Sequence, residues 1–441
     1  MTATVSIIIS ASGGEHLLRC LEALKGYLPA AEIILAGNVP VGLKDRLPSG
    51  ILHEPGPFAG QSAAFNRGAG RAHGSLLLFL HEDVLLPPGT LEILREELLS
   101  APEAAAIGPL SNRSRNISFQ MVRASYGSYG ELLQFCRRLS TQGGHISTIW
   151  LDSLCLLIRQ EDFSAVGGFD EFFPSHGAED MDLSLRLLER GRKLLITPRA
   201  YVHHEPKSAV LPGEEENLRR FRERWRFSSE YSLNARNDLL PWLEGLPEEA
   251  RILEIGCACG PTLLKAGDRF PHAKLYGVEL EEGPARIAAH FAEVSACNIE
   301  ELSRPDWTDF FDCIICGDVI EHLLRPQRAL ENIYRYLKPG GRLLLGIPNV
   351  MHISIFEHLL HGRFPYADSG LLDKTHTKFF TRTEIWKMLE EARFRVEDCD
   401  SLVVPMTSHQ QELLAALTPL LAPGVSPDEL KSYQIHVKAV K

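Results

Sequence analysis

The run Arg251-Ile-Leu-Glu-Ile-Gly-Cys-Ala-Cys-Gly260, just past the midpoint of the chain, has residue types that could hold a nucleoside. Apolar residues typical of a buried strand lead into a loop with Gly256 and Gly260, and glycine lets a backbone approach a ligand closely. Glu279 ends the next predicted strand, where a carboxylate can accept hydrogen bonds from both ribose hydroxyls. A strand, a glycine turn, a helix and a second strand ending in an acid indicate a nucleoside-binding unit.

Two further acidic groups lie in the first half of the chain. His81-Glu-Asp83 follows an apolar run at 75–80, and a carboxylate at the end of a parallel strand can bridge through a divalent cation to a diphosphate. Glu179 and Asp180 precede leucines at helical spacing, and a positioned carboxylate can take the proton of an attacking hydroxyl. The structural alternatives are a solvated strand end and the acids of a helix's first turn.

The elements that must position these groups alternate between strands and helices. In the first half, apolar periodicity predicts strands over 5–10, 32–36 and 75–80, and helices over 16–28 and 61–73. This βαβαβ order predicts a parallel sheet that binds ligands at the carboxyl ends of its strands.

A chain of 441 residues is too long for one ordinary core, so we expect two domains. A charged helical segment at 219–226, followed by a connecting helix and turn over 228–241, predicts a boundary near 227–230. The fold class is α/β, with two doubly wound domains over 1–227 and 229–441. The strands predicted for the second domain are 251–255, 275–279, 311–316, 342–347, 395–399 and 433–440.

The composition excludes several classes of protein. The net charge of -11 argues against a nucleic-acid binder, which would show a basic stripe. No apolar run approaches the length of a membrane span, and the first ten residues lack a basic leader, so we expect a cytoplasmic enzyme. The nine cysteines include Cys257, Cys259, Cys313 and Cys316, which we interpret as small core residues rather than disulfides or zinc ligands.

Further motifs accompany the acids of the first half. They are Gly60-Gln-Ser-Ala-Ala-Phe-Asn-Arg-Gly68, Val166-Gly-Gly-Phe-Asp-Glu-Phe-Phe173, Gly177-Ala-Glu-Asp-Met-Asp-Leu-Ser-Leu-Arg186 and Pro198-Arg-Ala-Tyr-Val-His-His-Glu205. In this order and spacing, the series resembles the family 2 glycosyltransferases of the GT-A fold, from residue 1 to about 226. The resemblance implies a nucleotide-sugar donor and a glycan or lipid-linked glycan acceptor, through which the protein could associate peripherally with a membrane.

The resemblance also implies a metal site. Asp83 would hold Mn²⁺ or Mg²⁺ on the donor diphosphate, and Glu82 could share this role because His81 stands where the family has an acid. A histidine that often completes the site corresponds to His204 or His203, and counting from Ala200 favours His204.

The same resemblance implies nucleotide contacts and a base. Asn66 and Gly68 match an Asn-x-Gly turn near the nucleotide, and Glu179-Asp180 matches an acid pair whose second member is the general base. Direct displacement would invert the anomeric centre. The family's usual acid after the second strand is absent here, where Asn38 could substitute, so the donor nucleotide stays open. The signature of processive members is also absent, which favours the transfer of one sugar.

The second half resembles the class I S-adenosylmethionine-dependent methyltransferases, over about 229–441. Its first motif is Glu254-Ile-Gly-Cys-Ala-Cys-Gly260, with Ala258 in place of the usual middle glycine. The turn Leu337-Lys-Pro-Gly-Gly341 and the last predicted strand fit this family better than a dinucleotide dehydrogenase. The residues that the resemblance assigns to the S-adenosylmethionine site are Glu254, Gly256, Gly260, Glu279, Asn298 and Asp318.

The base for methyl transfer is harder to assign. His376 lies in Asp373-Lys-Thr-His-Thr-Lys-Phe-Phe380, which resembles a recurring segment of sugar and quinone methyltransferases. His322 and His352 are the alternatives, and each could instead be a structural histidine.

Together, the two resemblances predict a bifunctional enzyme of surface-glycan assembly that transfers a sugar and methylates a glycan hydroxyl. In a second interpretation, the two domains act on unrelated small molecules, such as a secondary metabolite. In a third, the first domain is a degenerate glycosyltransferase that only binds the acceptor, since His81 and the missing acid after the second strand depart from the family.

Overall fold

The chain forms two compact units, Met1–Ala235 and Arg236–Lys441. The domain limits given by the sequence, 1–227 and 229–441, stay a prediction. The structure is a computed structural model, and it describes residues 4–27, 31–39, 42, 47–174, 177–205 and 213–441.

The first unit is built on a mixed sheet. Its strands are β1 Val5–Ala11, β2 Ala31–Gly37, β3 Ile51–Pro55, β4 Leu76–His81, β5 Val84–Leu85, β6 Ala104–Ser111, β7 Ile146–Ser147, β8 Cys155–Arg159 and β9 Lys193–His204. The strand order is β3-β2-β1-β4-β8-β6-β9-β5, with β7 paired to β9. Strands β1, β2 and β4 are parallel, as predicted, and β3, which was not predicted, pairs parallel to β2. Strand β8 runs antiparallel to β4 and to β6.

Helices cover both faces of this sheet. Neighbouring residues of β1 such as Ile7 and Ile8 are therefore both fully buried, and one face of the first helix buries Leu17, Leu21 and Leu24. The helix predicted over 61–73 ends earlier than expected. The helices are Glu15–Leu24, Gln61–Ala69, Thr90–Ser100, Tyr129–Leu139, Gln160–Ala165, Glu179–Glu189, Glu214–Trp225 and Ser229–Ser232.

The second unit has its own sheet and core. Its strands are β10 Arg251–Ile255, β11 Lys274–Glu279, β12 Glu293–Ala296, β13 Phe311–Gly317, β14 Leu337–Pro348, β15 Arg395–Val403 and β16 Ser432–Val440. The order is β12-β11-β10-β13-β14-β16-β15, in which β16 runs antiparallel to β14 and β15. All six predicted strands are present, and β12 was missed because it is short and only partly buried.

Helices flank the second sheet as well: Pro261–Arg269, Glu282–Ala288, Pro326–Tyr336, Ile353–Leu360, Arg382–Glu391 and Ser408–Leu417. The prediction that Cys257, Cys259, Cys313 and Cys316 are core residues is confirmed, since all four are buried. In the part of the chain that the structure describes, no helix has the length and apolar composition that crossing a membrane would need.

Candidate active sites

A cavity of about 750 Å³ opens in the first unit at the carboxyl ends of β1, β2 and β4. This is the edge at which open α/β sheets bind ligands. Charged and polar side chains that line it include His81, Asp83, Arg115, Asp152 and His204. The cavity therefore has both the position and the side chains expected of a site for an anionic ligand.

Three of these side chains could share a cation. Atoms of His81, Asp83 and His204 that can ligate a metal all lie within 4.8 Å of one another. The pairing of β5 with β9 brings His204 there, and its Nε2 atom lies 3.5 Å from an oxygen of Asp83. His204 Nδ1 lies 3.1 Å from the Arg113 carbonyl, to which it can donate, leaving Nε2 for a metal. One carboxylate and two imidazoles suit a divalent transition metal.

Two residues predicted for this metal site have other partners. Glu82 accepts hydrogen bonds from the backbone of Ser12 at 2.9 Å and of Gly13 at 3.1 Å, and its carboxylate therefore orders the loop after β1. The ring of His203 hydrogen-bonds the Tyr126 hydroxyl instead of facing Asp83. The structure thus brings His204, and not His203, to the predicted metal ligand.

Asn66 and Gly68 lie inside the helix Gln61–Ala69 and not in the turn that the resemblance predicted. Asn66 donates to the Phe169 carbonyl at 2.8 Å and accepts from the Phe169 amide at 3.0 Å. A Cβ atom on Gly68 would lie 2.4 Å from the side chain of Ile8, so glycine here allows the helix to pack on β1. Both residues hold the first unit together, and the structure does not place them in the cavity wall.

Glu179 and Asp180 begin the helix Glu179–Glu189 and are fully buried. Asp180 accepts hydrogen bonds from the Arg115 guanidinium and, at 3.0 Å, from the Ser153 amide. A Glu179 oxygen lies 3.6 Å from the same guanidinium. Arg115 lines the cavity, and its guanidinium contacts both acids. The sequence suggested that the Asp180 carboxylate stands free in the cleft, but it is paired with Arg115.

The acids around Arg115 differ in their affinity for protons. Burial raises the pKa of Asp180 to about 7, although the charge of Arg115 opposes the rise. Burial is also the largest influence on Asp152, but there the charges of Arg115 and His81 and two backbone hydrogen bonds together outweigh it and lower the pKa. A carboxyl group with a pKa near neutrality suits a general base, whereas Asp152 stays ionised and holds the Arg115 backbone at 2.8 Å.

The sequence did not single out Arg115 and Asp152. Arg115 follows β6. The polar run at 111–116, directly after this apolar strand, is the feature of the sequence from which Arg115 could have been found. The strand itself was not predicted, because Ala104–Ser111 is rich in alanine and has Ile107 as its single β-branched residue.

The nucleoside loop of the second unit follows β10. Gly256 has φ 68° and Gly260 has φ 79°, a left-handed conformation that favours glycine. A Cβ atom at Gly256 would lie 2.4 Å from Val319, and one at Gly260 would lie 2.6 Å from Phe291. Ala258 also has a positive φ, of 50°. The turn is therefore as tight as the motif predicted.

The predicted acids surround this loop. Glu279 accepts hydrogen bonds from the Ala258 amide at 2.7 Å and the Glu281 amide at 3.0 Å, which places its carboxylate against the loop. Glu254 is buried, and within the described part of the chain its Oε2 atom has no hydrogen-bond partner. Asn298 caps the next turn by accepting from the Glu300 amide. An unsatisfied buried acid beside a glycine loop fits a ligand that carries positive charge, as S-adenosylmethionine does.

Asp318 belongs to an ion pair that the sequence did not reveal. Arg236 donates to Asp318 at 2.7 Å. Cβ atoms on Gly317 and Gly346 would lie within 2.3 Å of the Arg236 guanidinium, so these glycines make room for it at the ends of β13 and β14. Burial raises the pKa of Asp318 although Arg236 opposes the rise. Arg236 thus supplies a cation at the edge of the sheet that carries the nucleoside loop.

His376 lies beside Glu321 and His322. Its Nε2 atom is 4.0 Å from a Glu321 oxygen, and its ring centroid is 4.8 Å from that of His322. Burial lowers the pKa of His376, which favours the neutral imidazole that a base requires. His352, in contrast, caps the helix Ile353–Leu360 and has a structural role.

Comparison with known protein families gives one match in each half of the chain. The family described as "Glycosyltransferase like family 2" matches residues 49–225, and the family described as "Methyltransferase domain" matches residues 221–398. The chain carries a family 2-like glycosyltransferase domain followed by a methyltransferase domain. The fold and both resemblances stated from the sequence are thereby confirmed.

The similar curated proteins match the methyltransferase domain. A malonyl-[acyl-carrier protein] O-methyltransferase of Geobacter sulfurreducens is 28% identical over 35% of this chain and 59% of its own length. A ubiquinone biosynthesis O-methyltransferase of Coxiella burnetii is 32% identical over 33% of this chain and 64% of its own. The chain thus spans about three fifths of these relatives. A solved methyltransferase of Thermotoga maritima, titled a possible histamine N-methyltransferase, is 22% identical over 52% of this chain and 95% of its own, with a TM-score of 0.34.

Replacing Glu254 of the methyltransferase domain with glutamine should stabilise the ligand-free protein at high pH. Burial raises the pKa of Glu254 from 4.5 to about 8, so its contribution to stability is present below about pH 4.5 and is lost as the pH rises toward 8. Glu254→Gln stays neutral and should raise the unfolding midpoint at pH 8 by about 2–4 °C or more.

Scanning calorimetry at pH 5 and at pH 8 measures the unfolding midpoint. The transition of the methyltransferase domain is the one that S-adenosylhomocysteine shifts. The exposed Glu282→Gln serves as the control. An equal difference between Glu254→Gln and the unmodified protein at both pH values would contradict a raised pKa.

Proposed function

We propose that this chain is a bifunctional transferase of glycan assembly. Its first domain transfers a sugar from a nucleotide donor with a divalent cation, and its second methylates a hydroxyl group with S-adenosylmethionine. One observation carries the proposal. The wall of the cavity in the first unit contains the possible metal ligands His81, Asp83 and His204. It also contains Arg115, which pairs with Asp180.

For sugar transfer, each group has a defined task. A cation held by Asp83 and His204 would neutralise the charge that develops on the leaving diphosphate. Asp180 takes the proton of the acceptor hydroxyl as its oxygen bonds to the anomeric carbon and the bond to the diphosphate breaks. Arg115 must first exchange its contact with Asp180 for one with the substrates. Attack opposite the leaving group inverts the anomeric centre.

For methyl transfer, the loop with Gly256 and Gly260 and the carboxylate of Glu279 would hold the nucleoside, and Arg236 would bind a carboxylate by giving up its contact with Asp238 or Asp318. S-adenosylmethionine supplies an activated methyl group, so the domain mainly aligns the acceptor and removes its proton. His376 is placed to accept that proton. The relatives from Geobacter and Coxiella are O-methyltransferases by name, which supports an oxygen acceptor.

A second function follows from the contacts of the first domain. Glu82 is engaged by the loop after β1, and Asp180 is engaged by Arg115. These contacts favour an alternative in which the first domain binds a glycan without transferring a sugar and presents it to the methyltransferase domain.

The full-length protein distinguishes these alternatives. Incubation with UDP-, GDP- and dTDP-sugars, with and without Mn²⁺, should release nucleoside diphosphate only when the metal and a suitable donor are present. In parallel, radiolabelled S-adenosylmethionine and a glycan extract report methyl transfer. Methyl transfer without any metal-dependent nucleotide release across the panel would favour the binding-module alternative.

The Glu279→Ala variant should weaken S-adenosylmethionine binding by about 1–3 kcal/mol, since it removes charged hydrogen bonds to the ribose. Calorimetry on the full-length protein measures the affinity. Glu282→Ala, which changes an exposed acid three residues later, should bind normally. An unchanged affinity in Glu279→Ala would place the ribose elsewhere.

A further inference from the structure

Glu321 is a buried acid of the second unit whose carboxylate can accept further hydrogen bonds. It follows β13 in a short turn, and only 1% of it is exposed. Among the described residues, neither of its carboxylate oxygens has a hydrogen-bond partner. Leaving such a buried group unsatisfied destabilises the protein, so a ligand that donates hydrogen bonds here would recover that loss.

The ring of His376 lies beside the Glu321 carboxylate. The Nδ1 atom of His376 lies 3.2 Å from the Leu371 carbonyl, to which it donates in the neutral tautomer. Its Nε2 atom is then an acceptor, 4.0 Å from a Glu321 oxygen. One hydroxyl oxygen can lie at about 2.8 Å from both atoms of such a pair. The two side chains therefore offer neighbouring acceptors for hydroxyl groups.

An exposed aromatic surface leads away from this pair. It consists of Phe364, Tyr366 and Phe379, which we call the aromatic platform. They are 37%, 64% and 38% exposed. Ring centroids are 5.3 Å apart between Phe364 and Tyr366 and 5.7 Å apart between Phe364 and Phe379, and Phe379 lies 6.2 Å from His376. Apolar side chains that are exposed side by side, rather than scattered singly, form the kind of patch that marks a binding surface.

We propose that the aromatic platform and Glu321 form the acceptor site of the methyltransferase domain, and that its ligand is a pyranose ring. The C–H face of the sugar packs on the platform, one hydroxyl donates to Glu321, and an adjacent hydroxyl donates to His376 Nε2. The inference rests on the proposed function and specifies its acceptor class.

A pyranose satisfies all of these groups, as would a phenol with two adjacent hydroxyls, whereas a hydrocarbon chain or a small polar molecule satisfies only some of them. A hydrocarbon chain would cover the aromatic rings but would leave the buried carboxyl without a donor. A small polar acceptor would reach Glu321 but would leave the platform exposed. The chain also carries a family 2-like glycosyltransferase domain, so a sugar acceptor for the methyltransferase domain agrees with the rest of the molecule.

In the reaction, the hydroxyl oxygen bonds to the methyl carbon as the carbon–sulfur bond of S-adenosylmethionine breaks. The hydroxyl proton passes to His376 Nε2, and the bonding electrons leave with sulfur as S-adenosylhomocysteine. Glu321 takes no proton in this step. It positions the ring through the neighbouring hydroxyl.

Saturation-transfer NMR tests the site on the full-length protein loaded with S-adenosylhomocysteine. The probes are the methyl pyranosides of glucose, galactose, mannose and rhamnose. At least one should receive saturation at its ring protons. Phe379→Ala and Tyr366→Ala should weaken its binding at least tenfold, and Glu321→Gln at least fivefold. Tyr129→Ala removes an aromatic residue that is 52% exposed in the first unit, and it should change nothing.

Calorimetry measures in parallel how tightly the unmodified protein and each variant bind S-adenosylhomocysteine. If the unmodified protein does not bind it, the proposed function fails as well. If S-adenosylhomocysteine binds while no pyranoside does, or if the platform variants bind pyranosides normally, the acceptor inference alone is overturned. A stoichiometric divalent ion that Glu321→Gln loses and Asp83→Ala retains would also overturn it, because Glu321 would then be a metal ligand. Should Phe379→Ala fail to fold, Tyr366→Ala provides the same comparison.

Discussion

The Asp180→Asn variant is expected to lower the rate of sugar transfer by about 10²–10⁴-fold while nucleotide binding survives. Asparagine keeps the shape of the side chain and can still accept from the Ser153 amide, but it cannot take a proton from a hydroxyl. Burial sets the pKa of Asp180 to about 7, so the unmodified residue can act as a base near neutral pH. The rate is measured by nucleotide release with the donor found in the screen.

Asp182→Asn is the matched control for this substitution. Asp182 lies in the same helix, is equally buried, and pairs with Arg186 at 2.7 Å and Arg224 at 3.0 Å. Both variants therefore remove one buried carboxylate from an arginine pair and should lose similar stability. Only Asp180→Asn should lose turnover. Equal and nearly normal rates in the folded fraction of both variants would make Asp180 a structural residue.

The Asp83→Ala variant should bind Mn²⁺ at least about 100-fold more weakly and lose sugar transfer. Asp83 is the one carboxylate in the group with His81 and His204, so its removal leaves two imidazoles and no anionic ligand. Calorimetry with Mn²⁺ alone measures binding without requiring a known donor.

The neighbouring histidines provide the comparison. His204→Gln should also weaken Mn²⁺ binding, because its Nε2 atom faces Asp83. His203→Gln should bind the ion normally, since its ring contacts the Tyr126 hydroxyl. Full turnover of Asp83→Ala in a chelator would show that the first domain needs no metal at this position.

Local features of the sequence predicted the framework of both units. The β-branched and leucine-rich runs that became β1, β2 and β4 are strands because their residues fit a sheet buried on both faces. The loop at Gly256 and Gly260 was equally predictable, because positive φ values restrict the choice of residue to a few types. Where the local signal was weak, as in the alanine-rich β6, the strand was missed.

The acids that could be catalytic were also visible in the sequence, but their partners were not. Asp180 was predicted as a base facing the cleft, and only the structure placed Arg115, 65 residues away in the sequence, against it. Likewise, no local pattern indicated that Arg236 pairs with Asp318 across 82 residues.

What the sequence by itself determined is therefore the strands with a strong apolar pattern, the glycine turn and the chemical types at the strand ends. The tertiary structure alone decided that Arg115 meets Asp180 and that His376 meets Glu321, and it placed His204, which the sequence favoured over His203, at Asp83. The physical reason is that secondary structure follows from neighbouring residues, whereas ion pairs and burial depend on packing between distant segments. Burial then sets the proton affinity of each acid, so the chemistry of these sites emerges only in the folded chain.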